Sequence, residues 1–303
     1  MTDLAIDVRG LRKSYGEFEA VKGVDLSVST GEVFSLLGPN GAGKTTTVEI
    51  LEGHRKRSAG DVTVLGHDPG KGERAFKRRI GIVLQETGVE RFLTVAEVIE
   101  RFRGYYPSPR PLDEIIEVVG LQEKRDERVR KLSGGQQRRL DVAIGLAGDP
   151  ELLFLDEPTT GFDPSARRNA WDMVRNLREL GKTVFLTTHY MDEAQNLADR
   201  VAIIVGGNIV AEGPPGSLVG AEATKTLIRF AVPADGPELP AALAAVAQRV
   251  GEHVSIQTED PLRTLHTLTG WALDANVEVR ELAVTQPSLE DVYLSLTASK
   301  ENP

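Results

Sequence analysis

Cysteine is absent from the 303 residues. That excludes disulfides and thiolate metal sites, and it fits a reducing compartment. Positive charge is also short: 36 lysines and arginines face 45 acids, for a net charge of −9. Such a balance argues against nucleic acid as the main partner, because that affinity comes largely from a positive surface. No apolar run approaches the roughly 18 residues needed to span a bilayer; the longest, "AALAAVA" at 241–247, is too short. The N-terminal "MTDLAIDVRG" carries Asp3 and Asp7 and lacks the apolar stretch of a secretory signal. There is no internal repeat, no low-complexity tract and no sustained heptad pattern. A cytosolic chain is expected, with any membrane role running through a partner.

What is present is ordinary globular composition, 40% hydrophobic and 27% charged, in a length suited to one or two domains of about 100–200 residues. Residues 1–210 alternate short apolar runs with amphipathic stretches, which predicts an α/β domain around a largely parallel sheet. Buried strands are expected at Val33–Leu37, Gly81–Leu84, Leu152–Leu155, Thr183–Leu186 and Val201–Val205, and helices at Lys44–Leu51, Pro164–Leu180 and Met191–Leu197. Early on, "IDVRGLRKSYG" and "VDLSV" alternate apolar and polar residues, as half-buried antiparallel strands do. After Gln85, "TVAEVIERFRGYY" and "PLDEIIEVVGL" change to helical spacing, so a helical subdomain is expected over about residues 86–150. The breaker cluster "GPPG" at 213–216 closes this domain. The expected division is 1–220 and 221–303, the second a small α/β accessory domain that opens on the strand "TLIRFAV" and continues with a helix near Ala241–Val250.

"GPNGAGKT", residues 38–45, lies after the apolar run "EVFSLL" and before the helix "TTTVEIL". Its backbone N–H groups, from Gly38, Pro39, Asn40, Gly41, Ala42 and Gly43 onward to Thr46, are placed to cradle a nucleotide's phosphates, proline supplying only its fixed turn. Lys44 would reach the β- and γ-phosphates and Thr45 would ligate Mg²⁺. "LLFLDEP", residues 152–158, is a buried strand ending in two acids. Asp156 is placed to hold Mg²⁺ and Glu157 to orient or deprotonate water. Gln85, His189 and Tyr15 stand at strand ends or between strands. Taken singly they are solvated or packing residues. Together with the phosphate loop they suggest a γ-phosphate-sensing glutamine, a γ-phosphate-contacting histidine and an adenine-stacking ring.

A second anion-binding turn, "LSGGQ" at 132–136, precedes the acidic strand. In this order, the glycine-rich loop, Gln85, "LSGGQ", "LLFLDEP", "GFDP" at 161–164 and His189 resemble the nucleotide-binding domain of ABC transporters, over about residues 4–220. The resemblance implies a P-loop NTPase fold with an antiparallel β subdomain and a helical subdomain. It also implies a head-to-tail dimer in which the signature loop of one protomer completes the ATP site of the other. Ser133, Gly134, Gly135 and Gln136 would then bind the partner's γ-phosphate, with Asp163 at the seam. Mg²⁺ would be held by Thr45, Gln85 and Asp156. Phe162 departs from the commoner leucine and keeps its apolar bulk.

"QPSLEDVYLSLT", residues 286–297, resembles the closing motif of the daunorubicin-type drug-exporter ATPases, with Tyr293 where phenylalanine is usual and Ala298 where glycine is common. Its other reading is a capped terminal helix, Ser288 with Asp291. The resemblance implies an ATP-hydrolysing motor of an export-type transporter, acting as a homodimer on a separate permease at the cytoplasmic face of the membrane. A ribosome- or DNA-directed ATPase would carry two such domains or a long coiled-coil insert, and this chain has neither. An importer ATPase is the third reading. The basic run "KGERAFKRR" at 71–79 reads as a solvated helix face, with contact to a permease or to lipid head groups as its other reading.

Overall fold

The computed structural model describes residues 3–83, 88–218, 226–233 and 236–285 with Leu289 and Tyr293, the side chains of Pro164 and Ser165 excepted. Gln85 and nearly all of the 286–297 motif lie outside these residues. The chain divides into two compact units, residues 1–215 and 216–303.

In the first unit, β1 (Leu4–Tyr15) and β2 (Phe18–Ser29) form a long antiparallel hairpin. Next come β3 (Val33–Leu37), α1 (Lys44–Leu51) and β4 (Ala59–Val64), which joins the hairpin in a three-stranded sheet ordered β2-β1-β4. The short α2 (Arg74–Lys77) leads into β5 (Ile80–Val83). The helical insert follows as α3 (Val95–Arg103), α4 (Leu112–Val118) and α5 (Gly134–Leu146). α3 starts at a reciprocal cap: Thr94 Oγ1 accepts from the Glu97 amide, and the Glu97 carboxylate accepts from the Thr94 amide. β6 (Leu152–Asp156), α6 (Pro164–Glu179), β7 (Thr183–Thr188), α7 (Met191–Leu197), β8 (Arg200–Val205) and β9 (Asn208–Gly213) complete the unit. The last short helix, α8 (Pro215–Leu218), falls at the division between units.

The main sheet runs β5-β6-β7-β3-β8-β9, parallel throughout except for the final β8–β9 hairpin. Its inner strands are covered on both faces, which is why they read as largely apolar runs. Alternation splits each strand between two cores. Phe34, Phe154 and Phe185 pack together beneath the antiparallel sheet, with ring centroids 5.4 and 5.8 Å apart. Val33, Leu153, Val184 and Leu186 face the helices. Register then fixes the functional end of the sheet: Leu37 lies opposite Thr188, and Asp156 opposite Thr187. The residues that follow β3, β6 and β7 therefore emerge side by side, where parallel sheets bind ligands.

The second unit is an antiparallel sheet of β10 (Thr226–Ala231), β11 (Ala247–Val250), β12 (His253–Thr258) and β13 (Arg280–Thr285), ordered β11-β12-β10-β13. Helices α9 (Ala241–Ala244) and α10 (Pro261–Asp274) accompany it. Ile228, Phe230, Val254, Ile256 and Leu268 form its core. The helix expected to reach Val250 stops at Ala244, because Ala247–Val250 pair with β12 instead. Alanine-rich sequence favours a helix, but the sheet partner decides.

One buried acid lies outside the motifs read from the sequence. Glu52, at the C-terminal end of α1, is 4% exposed, and His54 Nδ1 lies 3.3 Å from its carboxylate. Burial first, then the charges of Asp156 and Glu49, push its pKa from an ordinary 4.5 up to about 8. The folded chain thus keeps a proton that the unfolded chain releases above about pH 4.5. This contribution is full below that pH and is lost as pH rises through 8. Glu52→Gln is expected to flatten the decline in Tm between pH 5 and 9 relative to wild type. Equal slopes for the two proteins would contradict the buried neutral acid.

Candidate nucleotide site

Between β3 and α1 the backbone turns through Gly38–Gly43. A Cβ on Gly38 would stand 2.3 Å from the Ile204 carbonyl, so close packing alone demands glycine there. Gly43 has φ 105°, and its Cβ would meet the Ala20 carbonyl at 2.7 Å. The loop is tied to its surroundings: the Gly38 amide donates to Thr188 O (3.3 Å) and the Gly207 amide to Ala42 O (3.0 Å). The first-turn amides of a helix have no acceptor within it, and in α1 they follow directly on the loop. Lys44 is buried; its ammonium donates to the carbonyls of Gly38 (2.8 Å) and Pro39 (3.2 Å) and lies 3.4 Å from Glu157 Oε1. Thr45 is exposed and Thr46 half-buried, whereas the Thr47 hydroxyl turns back to Gly43 O at 2.8 Å.

The two acids are held by a residue that sequence reading passed over. Thr187, fully buried in β7, donates its hydroxyl to Asp156 Oδ1 at 2.5 Å and accepts the Glu157 amide at 3.1 Å. Glu157 has φ 45°, the left-handed region that costs a non-glycine residue about 1–2 kcal/mol. The Thr187 contacts stabilise this posture. One carboxylate oxygen of Glu157 accepts from the Thr160 hydroxyl at 3.0 Å; the other lies 3.3 Å from His189 Nδ1. Burial raises its pKa, but the Thr160 hydroxyl, His189 and the Lys44 charge outweigh burial and hold the group below its ordinary value. Arg138, buried in α5, donates to the carbonyls of Asp156 (2.8 Å) and Pro158 (3.3 Å), fastening the acidic loop to the helix.

Two signals could have found these residues. A threonine inside an otherwise apolar buried strand is one. An arginine sharing a helix face with Val142 and Leu146 is the other. Thr187→Val keeps the shape and removes both hydroxyl bonds. Hydrolysis is expected to fall about tenfold with a stability loss of about 1–2 kcal/mol; unchanged turnover and unchanged Tm would refute the organising role.

The turn "LSGGQ", expected to bind an anion, opens α5. Ser133 Oγ accepts from the Gln136 amide at 3.3 Å, and Gln136 Oε1 accepts from the Ser133 amide at 3.0 Å. The glycines between them behave unlike those of the first loop. A Cβ on Gly134 would meet nothing within 4 Å among the described residues, and one on Gly135 only Ala166 Cβ at 3.5 Å. Neither has a positive φ. A cavity of about 260 Å³ is lined here by Ser133, Gly135, Gln136, Phe162 and Asp163, and no described residue of the 38–45 loop lines it. The Asp163 carboxylate accepts from the Ala166 amide at 2.9 Å.

Thus Lys44, Asp156, Glu157 and His189 converge, while Ser133–Gln136 and Asp163 form a separate locus. Tyr15 sits at the tip of β1, 41% exposed, with Lys13 Nζ 5.1 Å and the Arg55 guanidinium 5.3 Å from its ring centroid. Among the described residues no cluster of three or more histidines and acids could hold a metal, and no helix is long and apolar enough to cross a membrane.

A phosphate loop on the central strand of a parallel sheet, beside paired acids and a strand-end histidine, defines an ATP-hydrolysing cassette. Residues 21–160 match the ABC transporter family, and residues 226–288 the "ABC transporter domain-containing protein-like, C-terminal domain" family. The chain is 40% identical to "Nod factor export ATP-binding protein I" of Rhizobium sp. (strain N33), over 98% of each chain. It is 38% identical to "Daunorubicin/doxorubicin resistance ATP-binding protein DrrA" of Streptomyces peucetius, over 97% of this chain and 92% of that one. Among solved structures, cbiO1 from Clostridium perfringens, part of the ABC transporter complex cbiONQ, superposes with TM-score 0.66 at 27% identity over 73% of this chain and 92% of its own. A dimeric ATP-binding cassette in a post-hydrolysis state, bound to ADP and phosphate, superposes with TM-score 0.61 at 26% identity over 69% of this chain and 98% of its own. The chain belongs to the ATP-binding subunits of ABC transporters and is an ATPase of that type.

Proposed function

We propose that this chain is the motor of an export-type ABC transporter, working as a dimer with shared ATP sites on a separate membrane permease. The contrast between the two glycine turns carries this reading. Gly38 and Gly43 are demanded by the chain's own packing, whereas Gly134 and Gly135 are demanded by neither packing nor φ. Small residues that the chain's own packing does not require, beside a helix N-terminus, suit an anion brought by another molecule. A second copy of the chain brings one on its phosphate loop.

The residues fit ATP with Mg²⁺. Mg²⁺ is commonly bound through one or two carboxylates together with substrate phosphates, and Thr45, Asp156 and Gln85 would supply the protein's share. When bound, the ion would neutralise phosphate charge during transfer. Lys44 and the loop amides hold the phosphates, and Glu157 orients the attacking water. His189 stabilises charge on the γ-phosphate. Tyr15 stacks on the adenine. The named activities of the relatives favour efflux of drugs or other hydrophobic compounds, with the chain attached peripherally to the cytoplasmic side of the membrane through its permease.

Chelation tests the catalytic site. Hydrolysis is expected to fall to background in EDTA and to return with excess Mg²⁺, whereas Asp156→Ala should not recover. Hydrolysis that survives chelation, or an Asp156→Ala protein that Mg²⁺ fully activates, would sink the assignment.

A further inference from the structure

Between the seam residue Asp163 and the strand-end His189 lies a contact that the catalytic roles above leave unused. Arg167, in the first turn of α6, places its guanidinium carbon 4.2 Å from the ring centroid of Tyr190. Its Nη1 donates to Asp192 Oδ2 at 3.2 Å. Tyr190 in turn touches the catalytic histidine: the two ring centroids are 4.0 Å apart. The Arg167 amide donates to Asp163 O at 3.0 Å, so clamp and seam share one helical turn.

The loop after β7 is also held from below. The Tyr190 amide donates to Thr188 Oγ1 at 2.9 Å, and Glu193, in the first turn of α7, is completely buried. The backbone on either side of His189 is thus tied to the end of β7, while the neighbouring Tyr190 ring lies against the Arg167 guanidinium.

We propose that Arg167 is a positioning residue: it clamps Tyr190 and Asp192, and through the Tyr190 ring it sets the posture of His189 from the helix that begins at the dimer seam. This rests on the role given to His189. Guanidinium suits the task because its plane can cover an aromatic face while its edge bonds a carboxylate; an ammonium would have to choose. The same geometry makes the site a relay. A partner that shifts Asp163 shifts the turn carrying Arg167, and the His189 ring follows.

The test combines Arg167→Ala, Arg167→Lys, Tyr190→Leu and Tyr190→Phe, in the wild-type and His189→Ala backgrounds, with single-turnover hydrolysis and equilibrium ATP affinity as readouts. Arg167→Ala and Tyr190→Leu are expected to slow hydrolysis about tenfold, since small misplacement of a catalytic group is costly, with ATP affinity changed less than twofold. Arg167→Lys should recover only part of the rate, and Tyr190→Phe, which keeps the ring face, nearly all of it. In the His189→Ala background Arg167→Ala should add no further loss. Losses that multiply there, or a wild-type rate in Arg167→Ala beside a slow His189→Ala, would overturn the clamp. The His189 ring signal in NMR, assigned by its disappearance in His189→Ala, separates the clamp from the catalytic role. It should move in Arg167→Ala and stay in Tyr190→Phe. A signal unmoved by Arg167→Ala overturns the clamp whatever hydrolysis shows, whereas a normally active His189→Ala overturns the role given to that histidine.

Discussion

Glu157→Gln is expected to bind ATP more tightly than wild type while losing steady-state hydrolysis by about 10²–10⁴-fold, the range for removal of a general base. The shape of the site should survive. Glutamine keeps an oxygen for the Thr160 hydroxyl and has the same backbone demand at φ 45°. What disappears is a negative charge lying 3.4 Å from the Lys44 ammonium and 3.3 Å from His189 Nδ1. That carboxylate engages the two groups assigned to the γ-phosphate, so its neutralisation removes a competitor. Because the surroundings hold Glu157 below its ordinary pKa, it remains a carboxylate throughout the neutral range. Between pH 6 and 8 the wild-type rate should therefore show no limb from this residue. Equilibrium ATP binding and steady-state turnover, measured on the same preparation, check both halves. Near-normal turnover would remove Glu157 from its role, and weakened ATP binding would contradict the competition between carboxylate and phosphate.

Much of this arrangement is legible before any coordinates. Val33–Leu37, broken only by Ser35, and Leu152–Leu155 are apolar because both faces of the main sheet are covered there, and the acids begin only at the strand end, Asp156. The helix Lys44–Leu51 begins where the glycine loop ends, as the motif requires. Thr187 and Arg138 were illegible for the opposite reason. Their importance lies in contacts with backbone and carboxylate groups 18 to 31 residues away in sequence, and no local periodicity records such partners. The edge strand Ala247–Val250 hid in an alanine-rich stretch whose helical propensity yields to pairing with His253–Thr258. Glycine is the sharpest case. Gly38 and Gly135 are the same letter in similar motifs, yet a Cβ on one would stand 2.3 Å from the Ile204 carbonyl and a Cβ on the other would make only an ordinary contact, with Ala166 Cβ at 3.5 Å. Only three-dimensional packing separates a glycine required by its own fold from one that is not.

That separation yields the second large effect. Gly135→Asp should fold, because its Cβ meets only Ala166 Cβ at 3.5 Å and its φ is ordinary; an acid in the first turn of α5 even suits the helix dipole. On the proposed shared site it should nevertheless abolish ATP-dependent dimerisation, because a carboxylate would stand where that site puts the partner's γ-phosphate. Lys44→Ala should be equally inactive for a different reason: it removes the buried ammonium from the phosphate loop and with it about 10²-fold in ATP affinity, at the strength of a charged hydrogen bond. The decisive measurement mixes the two proteins and records ATP-dependent dimerisation and single-turnover hydrolysis. If each site is built from two chains, the intact phosphate loop of the Gly135→Asp protomer meets the intact signature of the Lys44→Ala protomer. One working site per mixed dimer then returns, while the other site carries both lesions. If each chain builds its own site, every protomer in the mixture remains spoiled. Recovery of up to one turnover per mixed dimer is the expected result; mixed dimers that demonstrably form yet recover neither signal would contradict the shared site.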